Sequence, residues 1–301
     1  MHDGALTLDD TRARSLIALS FPEHADAVLR RVGTLGTVNT LIRIDDVLVA
    51  RFPFGATTPE ELERESAAMS EFADVCPFPA PRPCGIGVAT AEYPSAWSVQ
   101  TWIPGYTASA GAQSAALGLA GDIADLVLAL RRASTDDRAF DGQGRGGDLT
   151  RHDEWVAECL DRSAPLLDVG AASALWRRLR TLPSAGPDVM SHRDLTPYNI
   201  LVAGDGAEAR LAGVLDSASF GPADRALDLV AAWHLFDAPA RAVVRAGVGA
   251  TDIEWLRGAA WALQQALGLV WYYQESNPPM SVLGASTIAR LLADDELRAL
   301  G

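Results

Sequence analysis

The stretch SHRDLTPYNILV (191–202) gathers a histidine, an arginine, an aspartate and an asparagine within eight residues, and an apolar run follows at once. Polar groups that close to a buried strand cost desolvation energy unless something partners them. Downstream, the turn residues AGDG (203–206) separate this run from a second one, RLAGVL (210–215), which ends on Asp216. Two short apolar runs around a Gly-rich turn predict an antiparallel hairpin. Such a hairpin brings its two far ends together, so Asp194 and Asn199 before the first strand would meet Asp216 after the second. Two carboxylates and an amide oxygen are hard ligands of the kind Mg²⁺ takes when substrate phosphates complete its shell. A single Asp beside a strand is ordinarily a turn brace. Three such groups in this order and spacing favour a functional site.

The rest of the chain sets bounds on what that site serves. It has 301 residues, 49% of them hydrophobic and 21% charged, as expected of a globular protein large enough to bury a core. No apolar run approaches the length of a membrane span, and residues 1–10 are mixed and acidic, unlike a signal peptide. The three cysteines (Cys76, Cys84, Cys159) are too scattered for a disulfide framework, so reduced thiols in a cytoplasmic protein are expected. A net charge of −14 argues against nucleic acid or an anionic membrane as partner and permits attraction of a cationic ligand. The chain contains no lysine at all, which excludes a Walker A phosphate loop and Schiff-base chemistry.

Texture changes along the chain. Residues 8–20 predict a short helix with Asp9 or Asp10 in its first turn, stopped at Pro22. Alternating Val, Ile, Leu and Thr over 27–53, broken at Gly33–Gly36 and at Asp45–Asp46, predict a three-stranded meander. TTPEELERESAAMSEFADV (57–75) predicts a helix capped by Thr57 or Thr58, with Pro59 at its first position. Two further strands are expected around 81–87 and 97–103, the second ending at Pro104–Gly105. Beyond them helices dominate, at 114–132, 151–162, 171–182, 224–236, 252–273 and 284–296, while Gly- and Asp-rich 134–150 reads as a loop.

The motif His192-Arg193-Asp194-Leu195 with Asn199 resembles the catalytic loop of the protein-kinase-like fold. In detail it is most similar to the aminoglycoside and macrolide phosphotransferase family, whose loop usually has Gly where Arg193 stands. The downstream ADRALDL (223–229) keeps Asp224, Asp228 and Leu229 of a family element that normally has Gly and Pro in place of Ala223 and Arg225. The resemblance implies an α+β, two-lobe protein-kinase-like fold. Residues 1–104 would form an antiparallel-sheet, nucleotide-binding N-lobe, and 105–301 a mainly helical C-lobe with the catalytic loop and substrate pocket. It gives Asp194 as the base for an acceptor hydroxyl and Asn199 and Asp216 as metal ligands. His192 and Asp228 become loop braces, and the role of Arg193 is open.

GTLGTVNT (33–40) resembles the family's nucleotide loop through Gly33, Gly36, Asn39 and Thr40. The following strand normally supplies a lysine to the phosphates, paired with a helix Glu. Here Arg51 occupies that place, and Glu65 is the expected partner, with Glu61 as its rival. EYPSAWSVQTWIPG (92–105) looks like the family's hinge, making the backbone of Thr101, Trp102 and Ile103 candidate adenine contacts.

The implied activity is magnesium-dependent transfer of a γ-phosphoryl group from ATP or GTP to a hydroxyl of a small molecule, an aminoglycoside or a macrolide in the first instance. Asp153, Glu154 and Glu158 could receive ammonium groups, or Trp155, Trp271, Tyr272 and Tyr273 an apolar ring. The sequence does not choose between them. A kinase of choline, homoserine or an amino sugar stays open, as does a non-catalytic nucleotide binder, suggested by the missing lysine and by Ser217 where the family prefers an aromatic.

Overall fold

The computed structural model describes residues 6, 8–33 and 39–300. The chain divides into two compact units. One comprises 1–74, 79–104 and 216–219; the other comprises 75–78, 105–215 and 220–301.

The first unit is built on helix α1 (Asp10–Ser20) and strands β1 (Leu29–Arg31), β2 (Asn39–Ile44) and β3 (Leu48–Pro53), followed by helix α2 (Pro59–Val75) and strands β4 (Pro83–Gly87) and β5 (Trp97–Thr101). Asp9 caps α1, its carboxylate accepting from the Arg12 N–H at 2.7 Å. The strands form one antiparallel sheet in the order β1-β2-β3-β5-β4. Asp45 turns β2 into β3 in a left-handed conformation (φ 49°), where the side chain of an Asp is tolerated because it can bond locally. Its carboxylate accepts from the Val28 N–H at 2.9 Å, which ties β1 to the same turn. One sheet face is apolar by alternation. Ile42, Ile44, Ala50, Phe52, Trp97 and Val99 pack with Leu16 and Ile17 of α1, and Phe52 stacks on Trp97 at 4.5 Å. Gly87 is obligatory beneath that indole, since a Cβ there would lie 2.0 Å from the ring. Thr58 caps α2 in a reciprocal box: the Glu61 carboxylate accepts from the Thr58 N–H at 2.8 Å and the Glu61 N–H donates to Thr58 Oγ1 at 3.2 Å.

The second unit is mainly helical. After strand β6 (Tyr106–Thr107) come helices α3 (Ala110–Gln113), α4 (Leu117–Arg132), α5 (Asp153–Ser163) and α6 (Val169–Leu179). Strands β7 (Val189–Ser191), β8 (Ile200–Ala203), β9 (Arg210–Val214) and β10 (Gly221–Ala223) precede helices α7 (Val230–Leu235), α8 (Ala238–Val248), α9 (Asp252–Tyr272), α10 (Pro278–Ala293) and α11 (Asp295–Ala299). Helix α9 is buried on nearly all sides, which makes it the central packing element of the unit. The β8–β9 hairpin pairs Ile200 with Val214, and β6 adds to its outer edge. Asp122 of α4 fixes the hairpin from below, accepting from Arg210 Nε at 2.7 Å and from the Leu211 N–H at 3.0 Å. Strand β7 pairs with β10 rather than with the hairpin, setting Ser191 opposite Gly221. Asp224, just past β10, is buried with Arg257 and Trp261 of α9, so the segment after β10 is locked to the central helix. No helix among the described residues is long and apolar enough to cross a membrane.

Candidate active site

The loop between β7 and β8 is held by side chains whose own positions are fixed by burial. His192 is fully buried, its Nε2 lying 2.8 Å from the Leu215 carbonyl. The Asp194 N–H points at its Nδ1 at 3.3 Å, so Nδ1 is the bare nitrogen and Nε2 carries the proton. Asp228, buried in the short turn before α7, grips the same loop. Its carboxylate accepts from Ser191 Oγ at 2.8 Å, from the His192 N–H at 2.9 Å and from the Arg193 N–H at 3.2 Å. Neither residue is presented as a reactive group: both are braces, as the motif implied.

What they brace is Asp194. One oxygen, Oδ2, accepts from Asn199 Nδ2 at 3.1 Å, and the Asp194 carbonyl accepts from the same amide at 2.8 Å. With Nδ2 committed in this way, Asn199 Oδ1 is left as the outward amide oxygen, and it accepts from no described residue. The Leu215 N–H donates to the Asn199 carbonyl at 2.8 Å, which closes the mouth of the hairpin one residue before Asp216. The other oxygen of Asp194, Oδ1, is bound by the guanidinium of Arg145 at 2.7 Å. Arg145 comes from the segment between α4 and α5, 49 residues away, and nothing in its local sequence marks it.

Arg193, whose role the sequence left open, adopts φ 70°, the left-handed region that suits the glycine usual at this place. For an L-residue with a Cβ the conformation costs about 1–2 kcal/mol. A bidentate ion pair offsets it: Nη1 and Nη2 donate to the two oxygens of Asp141 at 3.0 Å each. Nη2 also donates to the Gln143 carbonyl at 2.5 Å, and the guanidinium lies over the Phe140 ring at 5.0 Å. The hydrogen bond from Arg193 holds the Asp141 carboxyl below its ordinary range.

A second group of polar residues belongs to the sheet unit. Arg51 of β3 donates to Asp216 Oδ1 at 3.3 Å and to Gln100 Oε1 at 3.3 Å. Asp216 also has a left-handed backbone (φ 59°), and its side chain is half exposed. Glu65, the expected partner of Arg51, makes no ion pair with it; Asp216 takes that place. Burial pushes the Glu65 carboxyl up, against the pull of the nearby Arg51 charge and with a further push from Asp216. Glu65, Glu61, Arg64, Thr57, Ala56 and Ala218 line a cleft of about 410 Å³. Glu61 is the cap of α2, which accounts for it.

Of the hinge residues, the Thr101 N–H donates to the Arg82 carbonyl at 2.9 Å and the Trp102 N–H to the Val47 carbonyl at 2.8 Å. Those two donors are engaged, whereas the Ile103 N–H has no partner among the described residues. Asn39 and Thr40 begin β2, opposite Pro53 and Phe52. Gly36 lies outside the described residues.

A magnesium ion keeps several waters and needs only one or two protein oxygens beside substrate phosphates. In the helical unit Asn199 Oδ1, and in the sheet unit the half-exposed Asp216 carboxylate, are each an oxygen donor of the kind it takes. Among the described residues no group of three or more His, Cys, Asp or Glu is assembled to hold a metal alone.

A model of the phosphotransferase enzyme family matches residues 31–262, from β1 into α9. The chain belongs to this family. Among solved structures, the GDP and kanamycin complex of APH(2″)-IIIa is 17% identical, with a TM-score of 0.71 over 96% of this chain and 99% of that one. A macrolide 2′-phosphotransferase type I is 20% identical, with a TM-score of 0.60 over 96% and 99%. Macrolide 2′-phosphotransferase MphH from Brachybacterium faecium is 18% identical, with a TM-score of 0.57 over 86% and 92%. At such identities the likeness speaks for a common fold. No curated protein matches the sequence. The phosphotransferase thus has the two-lobe, protein-kinase-like α+β fold, an antiparallel-sheet unit and a mainly helical one.

Proposed function

We propose that this phosphotransferase moves the γ-phosphoryl group of ATP or GTP to a hydroxyl of a small molecule of the aminoglycoside or macrolide type, in the cytoplasm and with Mg²⁺. The observation that carries the reading is Asp194: a carboxylate held through both oxygens on a loop braced by buried His192 and Asp228, and still 37% exposed at its side chain. A carboxylate so fixed, yet open, suits a base that orients an acceptor hydroxyl. In this reading residues 1–104 form the lobe that binds the nucleotide and residues 105–301 the lobe that binds the acceptor. Asn199 Oδ1 and Asp216 hold Mg²⁺, which neutralises phosphate charge when bound. Arg51 supplies the cation that a lysine usually supplies, with Glu65 beside it. Gly36, Asn39 and Thr40 cover the phosphates, and Ile103 offers its free N–H at the hinge, where Thr101 and Trp102 shape the strand end.

Phosphoryl transfer runs through a loose transition state, so positioning and charge neutralisation carry the rate. Asp194 orients the hydroxyl and takes its proton late, as the oxygen–phosphorus bond forms and the bond to the leaving diphosphate breaks. The helical unit's own contacts favour an apolar ring system over a polyamine. Asp153 is engaged by Arg180 and by Trp176 Nε1 at 2.9 Å, and Glu158 by Arg162 at 3.0 Å. Trp155 and Tyr272, by contrast, leave 38% and 47% of their surface exposed beside Trp271. The test is transfer of labelled γ-phosphate from ATP and from GTP to a panel of aminoglycosides, macrolides, choline, homoserine and amino sugars. Transfer to a macrolide or an aminoglycoside supports the reading. Transfer to choline, homoserine or an amino sugar alone assigns a metabolite kinase, and nucleotide binding without any transfer rejects catalysis.

A further inference from the structure

Arg145 sits where no sequence motif places a functional residue, yet its guanidinium touches the carboxylate of the proposed base at 2.7 Å. Its placement is not that of a stray surface contact. The backbone around it is held from both sides. On one side Arg193 clamps Asp141, the Gln143 carbonyl and the Phe140 ring. On the other, the Asp224 N–H donates to the Gly146 carbonyl at 2.6 Å, and Arg257 reaches the Gly147 carbonyl at 3.4 Å.

The Phe140 ring fills the space beneath Gly146 and Gly147. A Cβ at Gly146 (φ 133°) would stand 2.9 Å from that ring and 2.7 Å from Ala223, so the chain is pressed into a path that only glycine follows. Phe140 is itself fixed by the Asp188 carboxylate, which accepts from its N–H at 3.0 Å. Arg145 Nε is buried and bonds to no described residue, while the side chain as a whole stays 33% exposed. The structure therefore orders a cation on the open side of the base.

We propose that Arg145 is a catalytic residue whose guanidinium binds the phosphoryl group in flight, an inference that rests on the phosphotransfer reading of Asp194. An acceptor hydroxyl bonded to Asp194 lies about 3 Å from its oxygens, and its own oxygen must come within about 3–3.5 Å of the phosphorus. A guanidinium already in contact with that carboxylate is then within reach of the equatorial phosphoryl oxygens. The charges change together. The acceptor proton passes to Asp194 as the oxygen–phosphorus bond forms. The bond between the γ-phosphorus and its bridging oxygen breaks, and the electron pair leaves on the nucleoside diphosphate. Protonation of Asp194 releases Arg145 from its ion pair as negative charge spreads over the phosphoryl oxygens. Arg145 thus exchanges one anion for another, and a planar fork of donors suits both.

The probe is aluminium fluoride with Mg²⁺ and ADP or GDP, a planar mimic of the group in flight that needs no knowledge of the acceptor. The full-length chain and its Arg145→Gln and Arg145→Lys variants are compared for diphosphate affinity with and without aluminium fluoride, and for kcat and nucleotide KM. Arg145→Gln should bind Mg-diphosphate within about 2-fold of the unaltered chain but lose about 10-fold or more of the added affinity that aluminium fluoride confers. Its kcat should fall about 10²–10³-fold with KM little changed, the scale of removing one preorganised donor to transition-state charge. Arg145→Lys should recover part of both. Full aluminium fluoride affinity in Arg145→Gln overturns the proposal, even with a reduced kcat, because Arg145 then only holds the base. If the unaltered chain binds no nucleotide and transfers no phosphate, the phosphotransfer reading itself falls and takes this inference with it.

Discussion

Replacing Asp228 by alanine should unhinge the catalytic loop, and the size of the effect follows from its bonds. The carboxylate accepts from Ser191 Oγ, the His192 N–H and the Arg193 N–H at 2.8, 2.9 and 3.2 Å. The Arg193 N–H keeps a second acceptor in Ser191 Oγ at 3.1 Å, whereas the N–H of fully buried His192 loses the carboxylate it donates to. Bonds to a charged acceptor contribute about 1.5–3 kcal/mol each, and a buried donor left bare costs about 1–3 kcal/mol. With partial relaxation, Asp228→Ala should lose about 3–5 kcal/mol. For a protein of 301 residues that lowers Tm by about 5–8 °C. Residues 191–194 would then drift, and a displacement near 1 Å at the base costs about 10²-fold in rate. Ser191→Ala removes a single hydroxyl and should cost about 1 kcal/mol. Thermal melts of both variants, with transfer rates measured well below the melting range, check this. An Asp228→Ala protein that melts within a degree or two of the parent and turns over normally would refute the bracing argument.

Two further outcomes are expected. His234 is fully buried between Thr287 Oγ1 at 3.0 Å and Gln265 Oε1 at 2.9 Å, and burial pushes its pKa down to about 4 from 6.5. Between those values the unfolded chain binds a proton that the folded chain refuses. The stability is therefore complete above the unfolded pKa and lost as pH falls toward 4, by about 3 kcal/mol at most. Urea midpoints from pH 7.5 to 4.5 should decline less steeply in His234→Gln than in the parent, and parallel slopes would contradict this. Asp216→Ala should abolish magnesium-dependent turnover and flatten the Mg²⁺ dependence of diphosphate binding, read by titration calorimetry; normal rates and an unchanged Mg²⁺ titration would reject its role as a ligand.

Much of this molecule was legible in the residues, wherever the signal was local. The Asp45 turn, the α2 cap at Thr58 and the β8–β9 hairpin each follow from neighbours in sequence. What escaped reading is non-local or too short to carry a period. Strands β7 and β10 have three residues each and pair across about thirty positions, with Pro222 inside one of them, so no alternation announces them. Helix α8 lies between the helices delimited from the sequence, and its own bounds are set by the Asp237 cap and by Gly249 (φ 66°).

The site divides in the same way. Asp194, Asn199 and the brace His192 sit in one local motif, and the brace Asp228 in a second one some thirty residues on. Arg145 reaches Asp194 from a Gly-rich loop, and only the fold reveals the contact. Arg51 feels the charge of Glu65, as the helix spacing suggests, but its hydrogen bond goes to Asp216, 165 positions downstream, which no local spacing announces. Arg193 became interpretable only once its left-handed backbone and its clamp on Asp141 were seen together.

The most direct test of the central claim is transfer of labelled γ-phosphate to the acceptor panel by the parent chain and by Asp194→Asn, alongside diphosphate affinity. Asn keeps the shape and the contact to Asn199 but cannot take a proton. Transfer by the parent, with a loss of at least about 10²-fold in Asp194→Asn and unchanged diphosphate binding, is the outcome expected of a base at this position. Equal transfer by the two proteins would contradict the account.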